Sequence, residues 1–205
     1  MIAIVDYGVG NLASVRNAFD HLGYQAHICN DPERALEFER LILPGVGSFG
    51  AAMATLVNTG WANSLRKYAA TGRPMLGICL GMQLLFDRGE EHGPTPGLGL
   101  IGGAVVRLRP SPPNKVPHVG WNNLSRIEPH PVFRGIKQHV DFYFVHSYHC
   151  IPDNPDDVIA ICNFGGDIVA SVASGNVVGM QFHPEKSQPS GLRILKNFVE
   201  WNMEC

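Results

Sequence analysis

The tightest constraint on how this chain can fold lies between Arg73 and Gln83, R-P-M-L-G-I-C-L-G-M-Q. An apolar run ends in Gly77-Ile78-Cys79-Leu80-Gly81, and an amphipathic pattern starts at Met82. That order reads as a strand, a sharp turn and a helix, with a thiol at the turn. Glycine two residues to either side lets a tight, strained backbone push a nucleophile clear of both elements. A helix starting just after Cys79 aims its N-terminal dipole and free N–H groups at the sulfur, which favours the reactive thiolate. Taken alone, the stretch fits a buried cysteine on a tight strand-to-helix connection equally well.

The segments before it alternate in the same way. Met1 to Val5 is a short apolar run. A glycine-bearing turn from Tyr7 to Gly10 leads to Asn11, a good helix cap, and Leu12, Val15, Phe19 and Leu22 recur at helical spacing up to Gly23. Gln25 to Cys29 reads as a second strand, followed by Asp31-Pro32 opening a short helix. Arg40 to Leu43 reads as a third strand, broken by Pro44-Gly45-Val46-Gly47. Ala51 to Val57 and Trp61 to Ala70 read as helices, and Pro74 to Ile78 as the fourth strand. Strands alternating with helices predict a parallel sheet covered on both faces, with chemistry at the carboxyl ends of the strands. The loops at 6–11, 44–48 and 77–81 all fall on that edge.

The second half changes character. Glycine and proline crowd 93–103 and 110–117, around short runs such as Ala104 to Leu108. Compact β patterns follow at Val140 to Val145, Val158 to Cys162, Ile168 to Val172 and Val177 to Phe182, and these predict antiparallel strands added to the first sheet. A final helix is predicted from Gly191 to Asn202, packing through Ile194, Phe198 and Trp201. The expected fold class is therefore α/β: a single doubly wound, mostly parallel, flavodoxin-like sheet with helices on both faces and antiparallel strands added late.

Composition narrows the function. The 205 residues suit one α/β domain spanning 1–205 and are too few for two ordinary domains with a linker. A net charge of −2 gives no electrostatic footprint for nucleic acid. No apolar run approaches the ~20 residues that span a bilayer, and the N-terminus lacks the basic flank of a signal peptide, so the expected location is cytoplasmic, away from membranes. Five scattered cysteines, Cys29, Cys79, Cys150, Cys162 and Cys205, form no C-x-x-C pair and read as reduced thiols. The nine histidines show no metal-ligand spacing; His146 and His149 lie where a strand runs into a loop, and no metal is expected.

A thiol nucleophile needs a base to take its proton and return it to the leaving group, and that base needs a partner to orient it. Met180-Gln181-Phe182-His183-Pro184-Glu185 supplies both at the end of a predicted strand. Cys79, His183 and Glu185 fit the roles of nucleophile, base and orienter, although 104 positions separate the first two and only the fold can join them. Acyl transfer also builds an oxyanion, which needs backbone N–H donors. The Pro44 to Gly47 turn and the amide of Leu80 can provide them. Taken singly, His183 also reads as a loop histidine, Glu185 as a solvated carboxylate, and the turn as an ordinary strand-to-helix connection.

Together these motifs resemble the class I, triad-type glutamine amidotransferases: G-I-C-L-G-M-Q at the elbow, L-P-G-V-G at the oxyanion strand and F-H-P-E at the base. A narrower likeness is to the branch of that family that serves histidine biosynthesis. It rests on D-Y-G-V-G-N-L (6–12), L-P-G-V-G-S-F-G-A-A-M (43–53), P-H-V-G-W-N (117–122), F-Y-F-V-H-S-Y (142–148) and Q-F-H-P-E-K-S (181–187), spread in one order over nearly the whole chain.

The resemblance implies an enzyme whose Cys79 attacks the side-chain amide of L-glutamine. His183 then protonates the departing ammonia and activates water on the thioester, and Glu185 holds His183. Val46, Gly47 and Leu80 supply oxyanion donors or line the pocket, and Gln83, Ser147 and Tyr148 match positions that hold the glutamine's amino and carboxylate groups. It also implies a heterodimer in which ammonia passes to a separate (β/α)₈ cyclase subunit, with Asn11, Trp121, Tyr143 and Lys186 at or near that interface. Trp121 and Tyr143 also read as core aromatics and Lys186 as an exposed charge. No cofactor is implied. Val9 and Val119 stand where the family more often has methionine, and His149-Cys150 departs from its pattern, so neither of the latter is given a role.

Two other readings stay open at this point. One is a glutaminase subunit serving a different synthase, of anthranilate or pyridoxal phosphate. The other is a non-catalytic doubly wound module holding a nucleotide or flavin near Gly8 and Gly10, for which a two-glycine turn without the rest of a dinucleotide fingerprint is slender support.

Overall fold

The structure, a computed structural model, describes residues 1–203; Cys205 lies outside them. The first half interleaves strands and helices: β1 (Ile2–Val5), α1 (Leu12–His21), β2 (Ala26–Cys29), β3 (Arg40–Gly45) after a 3₁₀ turn, then two helices, α2 (Phe49–Asn58) and α3 (Trp61–Ala69), and β4 (Met75–Cys79) with α4 (Leu80–Leu84). β5 (Phe86–Gly89), β6 (Thr95–Pro96), β7 (Ile101–Arg107), β8 (His118–Ile127), β9 (Asp141–His146) and β10 (Tyr148–Pro152) follow. The chain then runs through β11 (Val158–Asn163), β12 (Asp167–Ser174) and β13 (Val177–Met180) to α5 (Gln188–Glu200).

The main sheet has nine strands in the order β2-β1-β3-β4-β13-β12-β11-β8-β9. Its first five strands are parallel, and from β13 outward each neighbour is antiparallel. Alternation along the strands splits the core in two. Ile2, Ile4, Ile42, Leu76 and Ile78 point to the side covered by α1 and α5 through Val15, Phe19, Ile194 and Phe198. Ala3, Val5, Leu41, Leu43 and Met75 point to the other, covered by α2 and α3 through Phe49, Leu56, Trp61 and Tyr68. β4 is buried along its whole length, as a parallel strand covered on both faces must be.

Local signals in the first half act as read. The Asn11 side chain accepts from the Ser14 amide at the start of α1, and Asp31 caps a 3₁₀ turn with Pro32 in its first position. Gly23, just past the end of α1, takes a left-handed φ of +79°.

Six expectations need correction. The described residues form two sheets: β10-β7-β5-β6 make a second, four-stranded sheet whose Phe86, Ile101 and Cys150 join the core on the α2–α3 side. β13 is not an antiparallel addition but a parallel neighbour of β4, reached by a long excursion that no local pattern records. β3 is not broken at Pro44; it runs to Gly45, with Pro44 and Gly45 opposite Ile78 and Cys79. His149 lies in strand β10, paired with Val106, and not in a loop. The elbow helix starts at Leu80 and ends at Leu84, and the last helix spans Gln188–Glu200 instead of 191–202.

Candidate active site

The carboxyl ends of β3, β4 and β13 meet at one edge of the sheet, and the elbow occupies it. Cys79 ends β4 with φ +55° and ψ −113°, outside the comfortable regions for a residue with a Cβ, at a cost of about 1–3 kcal/mol. The strain sits on the cysteine itself. Neither Gly77 nor Gly81 has a left-handed φ, and both are glycine for want of room. A Cβ on Gly77 would lie 2.7 Å from the Gly81 carbonyl oxygen, and one on Gly81 would overlap the Leu43 carbonyl of β3. Gly81→Ala should therefore destabilise the protein by roughly 3 kcal/mol or more, the upper range for overpacking against backbone. Gly50 in α2 is the control: its added methyl meets only the Thr95 hydroxyl, at 3.5 Å, so Gly50→Ala should stabilise by up to about 1 kcal/mol. Urea denaturation of the two variants checks both signs.

His183 follows β13 by three residues, and β13 is hydrogen-bonded to β4 in the register Met180 to Ile78. Adjacent strands thus bridge the long sequence separation. The His183 backbone is pinned on both sides: its N–H donates to the Tyr143 carbonyl (2.9 Å), and its own carbonyl accepts from the Ser187 hydroxyl (2.6 Å). The Ser187 oxygen in turn accepts from the Tyr143 N–H at 3.0 Å. Pro184 fixes the first position of the 3₁₀ turn Pro184–Lys186, which carries Glu185 back to the ring. His183 Nδ1 lies 2.8 Å from Glu185 Oε1, with the two side chains only 4% and 2% exposed. His183 Nε2 is buried and has no hydrogen-bond partner among the described residues, and the Cys79 thiol is its neighbour on that side. Burial pushes the His183 pKa down, but the thiol and the Glu185 carboxylate outweigh it and raise it to about 9. An imidazole held protonated between a thiol and a carboxylate suits an ion pair with the thiolate.

Val46, Gly47, Cys79, Leu80, Gln83, Ser147, Tyr148 and His183 line one cleft of about 290 Å³, so every substrate-side residue expected from sequence reaches a single cavity. Glu185 stands behind His183. Gly47 has φ +93°, a turn that a side chain would resist.

Three residues at the site escaped the sequence reading. Glu91 lines the cleft, and its Oε2 accepts from the Phe49 N–H at 2.7 Å, capping α2. Gln181, fully buried, accepts at Oε1 from Gln83 Nε2 (3.0 Å) and turns its own Nε2 toward Cys79 Sγ at 4.0 Å. Tyr7 buries a hydroxyl that has no partner among the described residues, against Gly45 and close enough to Cys79 that the thiol adds to the upward push of burial on its pKa. Gln181 opens the Q-F-H-P-E-K-S stretch and Tyr7 lies within D-Y-G-V-G-N-L, but nothing in their spacing marked their side chains. Glu91 sits in a glycine-rich turn whose path depends on the second sheet.

The remaining described thiols are poor nucleophiles. Burial raises Cys150 well above the ordinary thiol range, with Cys79 adding to it, and raises Cys162 to about 12. Cys29 is buried and its Sγ lies 3.3 Å from the Asp31 carbonyl oxygen.

The residues expected at a partner interface lie beside the cleft mouth. Trp121 and Tyr143 are cross-strand neighbours on β8 and β9 with rings 5.9 Å apart, and Lys186 Nζ sits 5.7 Å from the centre of the Tyr143 ring. Trp121 is half exposed; Val119, two residues before it on β8, and Val145, paired with Val119 on β9, are exposed apolar side chains, as is Val46 at the cleft. Tyr143 and Trp121 are therefore not core aromatics. Asn11 is exposed on the same sheet edge, and its side chain caps α1.

A strained cysteine at a strand-to-helix elbow, an imidazole backed by a carboxylate, and glycine-rich turns on the neighbouring strand equip this chain for acyl transfer through a thioester on a doubly wound sheet. The sequence model of the family described as glutamine amidotransferase class-I matches residues 3–201. The imidazole glycerol phosphate synthase subunit HisH of Sulfurimonas denitrificans is 49% identical over 204 residues, 98% of each chain. The HisH subunit of Geobacillus kaustophilus is 50% identical over 204 residues, 97% of this chain and 96% of its own. Among solved structures, one described as a glutamine amidotransferase superposes with a TM-score of 0.76 at 21% identity over 98% of both chains. The structure of PurLQS from Thermotoga maritima gives 0.74 at 20% identity over 97% of both chains, a likeness of fold. This chain belongs to the class-I glutamine amidotransferase family and, within it, to the HisH group.

Proposed function

We infer that this chain is the glutaminase subunit of an imidazole glycerol phosphate synthase, hydrolysing L-glutamine and passing the ammonia to a (β/α)₈ cyclase subunit in histidine biosynthesis. The observation that carries the chemistry is the buried His183–Glu185 pair beside the Cys79 thiol, at the wall of a cleft of the right size for an amino acid. Cys79 attacks the amide carbon, His183 gives its proton to the leaving ammonia, and the same ring then deprotonates the water that cleaves the thioester. Glu185 keeps Nδ1 protonated, so that Nε2 does the proton transfer. The Leu80 amide and the Val46–Gly47 turn line the same cleft and supply the backbone donors for the developing oxyanion.

Gln83 spends both amide protons, on Tyr148 O (3.1 Å) and Gln181 Oε1 (3.0 Å), so what it offers the cleft is the acceptor Oε1. That oxygen and the Glu91 carboxylate suit the substrate's ammonium group, and the Ser147–Tyr148 segment suits its carboxylate. The exposed Val46, Val119, Trp121 and Val145 beside the cleft mouth support docking of the cyclase there, with Asn11, Tyr143 and Lys186 at its margin. No described helix is long and apolar enough to cross a membrane.

The test is glutamine hydrolysis by the isolated chain and by its complex with the cyclase. Turnover should be slow alone and rise by at least about tenfold in the complex, the scale of a modest coupling free energy. Full turnover without a partner would contradict the dependence on the cyclase, and no turnover in either state would contradict the glutaminase reading.

A further inference from the structure

One chain of hydrogen bonds, exposed at its Asn122 end and buried between its two histidines, runs from β8 to the cleft, whose wall includes His146. Asn122, half-buried on β8, gives one amide proton to the Asn163 carbonyl (2.9 Å) and the other to His118 Nε2 (3.2 Å). His118 Nδ1 lies 2.9 Å from His146 Nε2, and His146 Nδ1 lies 2.8 Å from the Tyr148 carbonyl oxygen. That same oxygen accepts from Gln83 Nε2, whose second proton goes to Gln181 Oε1, and Gln181 points at Cys79.

Both ends dictate its direction. A carbonyl oxygen only accepts, so His146 must carry its proton on Nδ1, which leaves Nε2 bare in a neutral ring. His118 must then donate from Nδ1 and accept at Nε2, where Asn122 supplies a donor. Asn122 cannot be reversed, because the Asn163 carbonyl also demands a donor from it. A second proton on either ring would set N–H against N–H. Burial already drives both rings toward the neutral form, His118 down to about 4 and His146 to about 3. His118 is also clamped between the Phe144 and Phe164 rings, with centroids 4.7 and 4.0 Å away.

We propose that His118 and His146 are positioning residues for glutamine binding: an uncharged, one-directional relay from Asn122 to the Tyr148 carbonyl that fixes the Ser147–Tyr148 segment and the orientation of the Gln83 amide. The proposal rests on the glutaminase reading. Its chemical logic lies in the shared Tyr148 oxygen. With that oxygen held by His146, Gln83 Nε2 stays on it and Oε1 stays toward the cleft. Once the relay is cut, the Tyr148 carbonyl can tilt and the Gln83 amide can turn its NH₂ toward a ligand ammonium, donor against donor. The loss falls on ground-state binding of glutamine more than on the thiol's chemistry.

The test measures glutamine hydrolysis in the complex with the cyclase. His118→Phe keeps the stacking and removes both ring nitrogens, and His118→Asn restores a donor near the place of Nδ1. His118→Phe should raise KM for glutamine about tenfold, the scale of one orphaned buried hydrogen-bonding group, with kcat changed less than about threefold. His118→Asn should recover most of the KM, and Asn122→Ala should move KM in the same direction by less. A fall in kcat at unchanged KM, an unchanged KM, or equal defects in His118→Phe and His118→Asn would overturn the proposal. Should the variants fail to fold, ¹⁵N NMR of the wild-type histidines decides alone: Nδ1–H tautomers with bare Nε2 on both rings are expected, and an Nε2–H on either overturns the relay. A wild-type complex inert toward glutamine is a separate outcome, which overturns the glutaminase reading and this one with it.

Discussion

Replacing Cys79 with alanine should lower glutamine-dependent synthesis by the complex roughly 10⁴-fold or more, while synthesis from added ammonium salts continues at the wild-type rate. The size follows from what is removed. Without the sulfur there is no thioester, so His183 has neither a proton to take nor an intermediate to hydrolyse, and residues that act as one unit lose their effect together. The other described thiols cannot substitute, since Cys150 and Cys162 are buried with raised pKa values. Steady-state assays with each nitrogen source separate the outcomes. Glutamine-dependent activity surviving at more than a few per cent would remove Cys79 from the mechanism, and loss of both activities would point to a failed assembly.

The second large effect belongs to Glu185. Glu185→Gln should reduce glutamine turnover by about 10²–10⁴-fold, the usual contribution of positioned acid–base catalysis, because the amide lacks the charge that stabilises the imidazolium and can turn its NH₂ to Nδ1, favouring the wrong tautomer. Its pH dependence carries a sign. His183 has its pKa raised to about 9 by the thiol and by Glu185 against the opposing effect of burial. The wild-type ring is therefore protonated through neutral pH, and kcat/KM should fall as pH rises through about 9. Removing one of the two raising groups lowers that pKa, so the alkaline limb of Glu185→Gln should move to lower pH. A limb that stays in place, measured between pH 6 and 10 in the complex, would mean that another group sets it.

Much of this site was legible in the sequence because its parts depend on short-range rules. Asn11, Asp31-Pro32 and Gly23 marked helix ends through local hydrogen bonds and φ angles, and their elements formed where those signals stood. The elbow was visible because glycine on either side of a cysteine is needed there, though for reasons of room and not of φ. What escaped depends on long-range pairing. Val177 to Met180 carries the same apolar run whether its neighbour is parallel or antiparallel, so nothing local could say that it would lie beside β4. The second sheet is stitched from β5, β6, β7 and β10, which are short, glycine-bearing or half-exposed, and no single segment announces a sheet. Gln181 and Tyr7 act through buried polar atoms whose partners are brought by distant strands.

The seat of β13 between β4 and β12 has a consequence for the newborn chain. The nucleophile leaves the ribosome more than a hundred residues before its base, and the strand that aligns the two is among the last made. Until residues 177–185 have emerged, the parallel half of the sheet lacks its inner neighbour and the antiparallel half has nothing to join. Domains that rely on such distant pairings form late in synthesis. The thiol is thus without its base for most of translation. Ammonia-releasing activity switches on with completion of the fold, and a chain stopped short of Glu185 would hold a cysteine that cannot turn over.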